Sequence, residues 1–575
     1  MITWTNIKLC VMQFILLIFD SYSSEIVIEL PQGKIRGLTE KTREGTTYHS
    51  FLSLRYAKAP VGSLRFELPQ PVDSWTNIYN ATEEKYICHQ VGTDSDLENE
   101  DCLFINVFTP KDLTSANITA DLPIMVFIHG GGFVSGAAYK SNGFGPNFFM
   151  DYNVILVSFN YRLGPFGFLS TGDQLLPGNL GLKDQIAALK WIRNNAAHFG
   201  GDPYKVTIFG ESSGGACVGY LILSQQAEGL FRAAIMQSGS ALSPLAYQRN
   251  QTNITWLTAG QLEPSLPARR NSTELLEYLK TVPASQLDAA SFNVTNLLTS
   301  TGNVPLSKGF FYAPVIEKDH KHVFITDKMY GLLQEGRFNK VPIVAGINSD
   351  EALALLNNGD FVNAISKDYD YNPKFLVPFD MHVTDESLKE HIGELIKQFY
   401  ANGASFEDDP VFAIHFHSGH DLEKPVIKQA ELQSKYVPVY FYEFGYSGPM
   451  GNNVYATLAG TSNVSHGEEL NYLFSRYYNA DIPDNTELSL FPENDQRVHQ
   501  RLMTLWTNFA KYLDPTPTRD PNLQYIVWSR AQRQHFRYLK ITTNLDVKWG
   551  LPKHASYRFW HMLFDRYAVK PYDSY

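Results

Sequence analysis

The apolar run Val206-Thr207-Ile208-Phe209 breaks into Gly210-Glu211-Ser212-Ser213-Gly214-Gly215. A strand that ends in Gly-x-Ser-x-Gly and passes at once into a helix puts its serine on a turn too tight for side chains at the glycines. Ser212 Oγ then stands clear of the backbone at the end of a strand. A serine hydroxyl is a weak nucleophile near neutral pH. It needs an imidazole to take its proton, an acid to hold that imidazole in one tautomer, and N–H donors where an oxyanion would form. Gly130-Gly131-Gly132, directly after an apolar run, suits the last task, because residues without side chains let successive N–H groups approach one oxygen. No Lys-Ser or Lys-Thr follows those glycines, which argues against a phosphate loop. Of 16 histidines, His466 lies in the polar stretch Ser462-Asn463-Val464-Ser465-His466-Gly467-Glu468-Glu469, downstream of the elbow, and is the candidate base. Asp350 and Glu351 follow an apolar strand between the serine and this histidine, and spacing alone admits either as the acid.

The elements that must position these groups are legible as short apolar runs. Ile124–Ile128 feeds the glycines and Val154–Phe159 feeds Asn160-Tyr161-Arg162, while Asp184–Ala197 has the apolar spacing of a helix. Ala233–Met236, Val341–Ala345 and Val437–Phe444 read as further strands, Ile26–Leu30 and Lys34–Arg36 as a hairpin, and Phe104–Phe108 as a strand ended by Pro110. Val498, Leu502, Leu505, Phe509 and Leu513 mark an amphipathic helix that stops at Asp514-Pro515. Strands alternating with helices predict an α/β fold on a large, mostly parallel central sheet, with chemistry at the carboxyl ends of its strands. A polar insertion separates the strands near residues 236 and 341, and no internal repeat or linker divides the chain. One catalytic domain with long insertions is expected over residues 24–575.

Hydrophobic content of 44% and charged content of 19% are those of an ordinary globular chain. The net charge of −11, with no basic cluster, argues against nucleic acid as a partner. Lys8, an apolar run from Leu9 to Phe19 and the small-residue step Ser21-Tyr22-Ser23 have the form of a signal peptide over residues 1–23. Nothing later offers a run of about 18 apolar residues, so a secreted, extracellular protein without a stable membrane anchor is expected. Export removes Cys10 and allows Cys88 and Cys102 to close a short loop, leaving Cys217 as a buried thiol. Asn80, Asn117, Asn250, Asn253, Asn271 and Asn293 are glycosylation candidates, whereas Asn463 lies too close to His466 to count. The motifs call for no cofactor and no metal.

Together these motifs resemble the type-B carboxylesterases, a branch of the α/β-hydrolase superfamily. The likeness rests on Tyr56-Ala57 with Pro60 and Arg65-Phe66, Glu100-Asp101-Cys102-Leu103 with Asn106-Val107, His129-Gly130-Gly131-Gly132-Phe133, Asn160-Tyr161-Arg162, the Ser212 elbow, Gln237-Ser238-Gly239 and the His466 loop. The resemblance implies an α/β-hydrolase fold and a serine esterase working through an acyl-enzyme. Its triad would be Ser212, Glu351 and His466, with an oxyanion hole from the N–H groups of Gly131, Gly132 and Ser213. It also implies Ser238 as a supporting residue, a Cys88–Cys102 disulfide and a small-molecule ester as substrate. Two positions depart from the family pattern, Ala352 for its usual glycine and Ser213 for its usual alanine, and neither removes a catalytic group. No Trp lies between Cys88 and Cys102, which disfavours choline esters, and Leu245 replaces a Trp of several relatives, which points to a roomier acyl side. The alternatives are a catalytically silent, neuroligin-like adhesion protein and an interfacial lipase.

Overall fold

In this computed structural model, the described residues are 24–575 apart from 94, 116, 301–308, 452–457 and 477–483. The expected signal peptide lies outside the described residues. The strands are β1 (Ser24–Leu30), β2 (Gly33–Lys41), β3 (Thr47–Arg55), β4 (Tyr79–Asn80), β5 (Phe104–Thr109), β6 (Leu122–Ile128), β7 (Ile155–Phe159), β8 (Gly201–Glu211), β9 (Ala233–Gln237), β10 (Ile343–Asn348), β11 (Val439–Phe444), β12 (Arg537–Ile541) and β13 (Leu545–Trp549). They form one sheet in the order β1-β2-β3-β5-β7-β6-β8-β9-β10-β11-β12-β13, with β4 beside β2. Every pairing from β7 to β12 is parallel, and antiparallel pairs flank that block on both sides.

The central strands are chiefly apolar because both of their faces are covered. On β6, Ile124, Val126 and Ile128 join one core with Val218 and Leu221 of α2 (Ser213–Leu223) and with Ile186 and Leu189 of α1 (Leu180–Asn195). Met125 and Phe127, the alternate residues, join a second core on the opposite face. There they meet Val498, Leu502, Leu505, Trp506 and Phe509 of a long helix, Glu493–Tyr512. That helix stops at Tyr512, a residue short of the sequence expectation, because Leu513 leaves the helix in a left-handed conformation at φ 60°.

The polar insertion between β9 and β10 is largely helical, and its longest helix is α3 (Ala284–Ser300). Asn80, Asn117, Asn250, Asn253, Asn271 and Asn293 are all exposed. Asn463 is half-buried, and its Oδ1 accepts from Leu458 N at 3.1 Å. The sheet order brings the carboxyl ends of β6, β8, β9 and β10 side by side, and the candidate chemistry collects there.

Candidate active site

β8 ends at Glu211 and α2 starts at Ser213, so Ser212 alone makes the turn, at φ 60° and ψ −128°. Residues with a Cβ rarely adopt this conformation, and it persists only where neighbours hold it. Ser212 N donates to Gln237 O at the end of β9 (2.9 Å), and Ala216 N donates to Ser212 O (3.0 Å). Glycine is required on either side by crowding. A Cβ on Gly210 would come 2.6 Å from the Gly214 backbone, and one on Gly214 would come 2.8 Å from His129 O.

The glycine run leaves β6 against this turn. A Cβ on Gly130 would lie 2.8 Å from Glu211 O and 3.0 Å from Ser212 Cβ. Gly131 (φ 106°) and Gly132 (φ 62°) then fold the loop back, with Val134 N and Ser135 N donating to Gly131 O at 3.1 and 3.0 Å. Among the described residues, neither Gly131 N nor Gly132 N donates to another group, whereas Phe133 N reaches Ser213 Oγ at 3.4 Å. Two unmet backbone donors in a crowded loop are donors free for a ligand. Upstream, His129 stacks on Tyr161, and the Tyr161 hydroxyl donates to His129 O at 3.0 Å. Burial pushes the His129 pKa down to about 4, so its ring is neutral and structural.

The choice between Asp350 and Glu351 resolves in space. Glu351 is fully buried, with Oε1 accepting from Ser238 Oγ (2.6 Å) and Asn348 N (2.7 Å). Its Oε2 lies 2.6 Å from His466 Nδ1. Asp350 turns the other way: Ser462 N donates to it at 2.6 Å, so it fastens the start of the histidine loop. Ser212, Glu351 and His466 thus converge on one cavity of about 190 Å³. Phe133, Leu245, Phe310, Leu355 and Leu422 make its walls chiefly apolar. Among the described residues no hydrogen bond joins Ser212 Oγ to His466. The imidazole Nε2 lies instead 3.1 Å from Glu211 Oε1.

A sequence profile described as the carboxylesterase family matches residues 24–560. The chain belongs to the carboxylesterase family. It is similar to a carboxylic ester hydrolase of Bombus ignitus, at 32% identity over 92% of this chain and 93% of that one. It is also similar to the juvenile hormone esterase of Heliothis virescens, at 32% identity over 88% of this chain and 89% of that one. Neuroligin-2 of Mus musculus is 30% identical over 90% of this chain and 65% of that protein. Among solved structures, juvenile hormone esterase from Manduca sexta, with OTFP covalently attached, superposes with a TM-score of 0.79 at 27% identity, over 94% of this chain and all of that one. This carboxylesterase therefore has the α/β-hydrolase fold and is a carboxylic ester hydrolase.

Three groups at the carboxylesterase site were not apparent as functional from the motifs. Glu211 sits inside the elbow, but only the tertiary structure turns its carboxylate toward His466; burial raises its pKa, against the pull of the imidazole. Asn348 Nδ2 donates to Ser465 O (2.7 Å) and to Glu469 Oε2 (2.6 Å). Glu469 in turn accepts from Gln237 Nε2 at 3.0 Å, tying the ends of β9 and β10 to the histidine loop. Cys88 and Cys102 are joined, and Cys217 is a buried thiol whose pKa burial pushes up to about 12. Among the described residues no helix is long and apolar enough to cross a membrane.

Proposed function

We propose that this carboxylesterase is secreted and hydrolyses its ester through an acyl-enzyme on Ser212. Ser212 Oγ attacks the ester carbonyl carbon while His466 Nε2 takes the hydroxyl proton. The tetrahedral oxyanion is held by the N–H groups of Gly131, Gly132 and Ser213. Collapse breaks the carbon–oxygen bond to the alcohol, which leaves with the proton from His466. Water, deprotonated by the same ring, then attacks the acyl carbon and frees the carboxylic acid and Ser212. Glu351 keeps the Nδ1 proton in place and balances the imidazolium charge.

The observation that carries this reading is the Glu351–His466 pair set on the cavity into which the strained Ser212 turn opens. The covalently held OTFP of the Manduca sexta esterase supports a covalent step here as well. The apolar walls fit the hydrocarbon parts of an ester. The deciding experiment follows p-nitrophenol release from short acyl esters together with fluorophosphonate labelling of the secreted chain. Ser212→Ala is expected to abolish both. A wild-type protein that is unlabelled and inert would instead support a silent, neuroligin-like role.

A further inference from the structure

Outside the cavity, one cluster has the composition and spacing of a cation site. His89, next to the disulfide, places Nδ1 3.0 Å from Asp288 Oδ2 on α3 and 3.6 Å from Glu98 Oε2 on the returning limb of the same loop. The donor atoms of all three lie within 4.8 Å of one another. A Zn²⁺ ion held tetrahedrally at about 2.0–2.2 Å from each donor requires donors about 3.4 Å apart, close to both measured edges. The side chains of Asp288 and Glu98 are 7% and 4% exposed, so two carboxylates share a buried site with one imidazole. Asp288 Oδ1 is buried and has no hydrogen-bond partner among the described residues. The nearby Arg65 guanidinium does not relieve this, since it is committed to Glu100 (2.6 Å) and to Leu279 O (2.7 Å). Glu98 accepts from Gln90 N (3.2 Å) and from Thr93 Oγ1, so the unmet demand lies at Asp288 Oδ1, which a cation set between the three side chains would meet.

We propose that His89, Glu98 and Asp288 bind a divalent cation of the Zn²⁺ class, with water filling the remaining coordination. The ion clamps the Cys88–Cys102 loop to α3. The effect reaches the glycine loop, because Val91 N donates to Val134 O (3.0 Å) and Gln90 Oε1 accepts from Gly136 N (3.0 Å). Neither motif nor spacing along the chain announces this site, since Asp288 lies far from the other two residues.

The test titrates ZnCl2 alone into the chelator-treated mature chain by isothermal titration calorimetry. One saturable equivalent is expected, with a rise in the thermal unfolding midpoint. Asp288→Asn and Glu98→Gln should each weaken binding at least about tenfold. Zinc-edge X-ray absorption on the wild-type one-to-one complex, which needs no variant to fold, is expected to show one imidazole and otherwise oxygen ligands. Absent saturable binding, affinity unchanged in both variants, or a shell with sulfur or several imidazoles would each overturn the proposal.

Discussion

At the scale of single residues, the unusual feature is an imidazole flanked by two carboxylates. Burial lowers the His466 pKa, but Glu211 at Nε2 and Glu351 at Nδ1 outweigh it and leave the pKa raised above the ordinary histidine value. In the proposed mechanism His466 is the general base and must be neutral, so kcat/KM would rise with pH as the ring deprotonates, and a raised pKa moves that rise to higher pH. Glu211→Gln removes one of the two adjacent negative charges, which lowers the pKa. The acid limb of the kcat/KM profile should then shift to lower pH, by about 1–3 units if the charge acts at contact distance. A profile recorded on a soluble p-nitrophenyl ester checks this, and an unmoved limb would show that Glu211 does not face the ring in solution.

At the scale of elements, two loops hold the chemistry in opposite ways. The glycine loop works by lacking side chains. Gly131, at φ 106°, would drive a Cβ into Ser135 O, so Gly131→Ala must shift the N–H groups proposed to hold the oxyanion. Losing such a donor costs about 10²–10³ in kcat, and the expected signature is a fall in kcat at little-changed KM. The histidine loop works by anchorage. Phe474, fully buried, packs on Phe127 (4.6 Å between ring centroids) and Phe149 (5.2 Å) beneath the sheet. Phe474→Ala should cost about 3–5 kcal/mol in urea unfolding, as large aromatic truncations in cores do. It should also lower kcat, because the anchor that places His466 is loosened.

At the scale of the whole molecule, the sheet joins distant parts of the chain. Residues 212, 351 and 466 meet because β6, β8, β9 and β10 end together, and the parallel pairings set that alignment. The Cys88–Cys102 bridge closes a loop of 14 residues at one margin of this assembly. Replacing both cysteines by serine is expected to lower stability by about 3 kcal/mol, the entropy of closing a loop of that size. Comparison of urea midpoints under non-reducing conditions would show this. Equal midpoints would mean that the loop is held by its other contacts.

The sequence by itself determined the α/β class, the strands from β5 through β11 and the elbow. Runs buried on both faces are apolar at nearly consecutive positions, and a strained turn demands glycine around Ser212. It passed over β3, which is buried along most of its length but interrupted by His49, Ser50 and Ser53, and the edge hairpin β12–β13, whose largely half-exposed strands mix polar and apolar residues. Spacing left Asp350 and Glu351 equivalent, since adjacent residues at a strand end differ only in the direction they face. The family resemblance pointed to Glu351, and the tertiary structure gives the physical reason, turning Glu351 to the imidazole and Asp350 to Ser462 N. It alone brought Glu211 to Nε2, and Asp288 to His89. The physical reason is common to these cases: local sequence governs backbone conformation and burial, whereas a hydrogen bond or ion pair between remote residues exists only after the strands are in register.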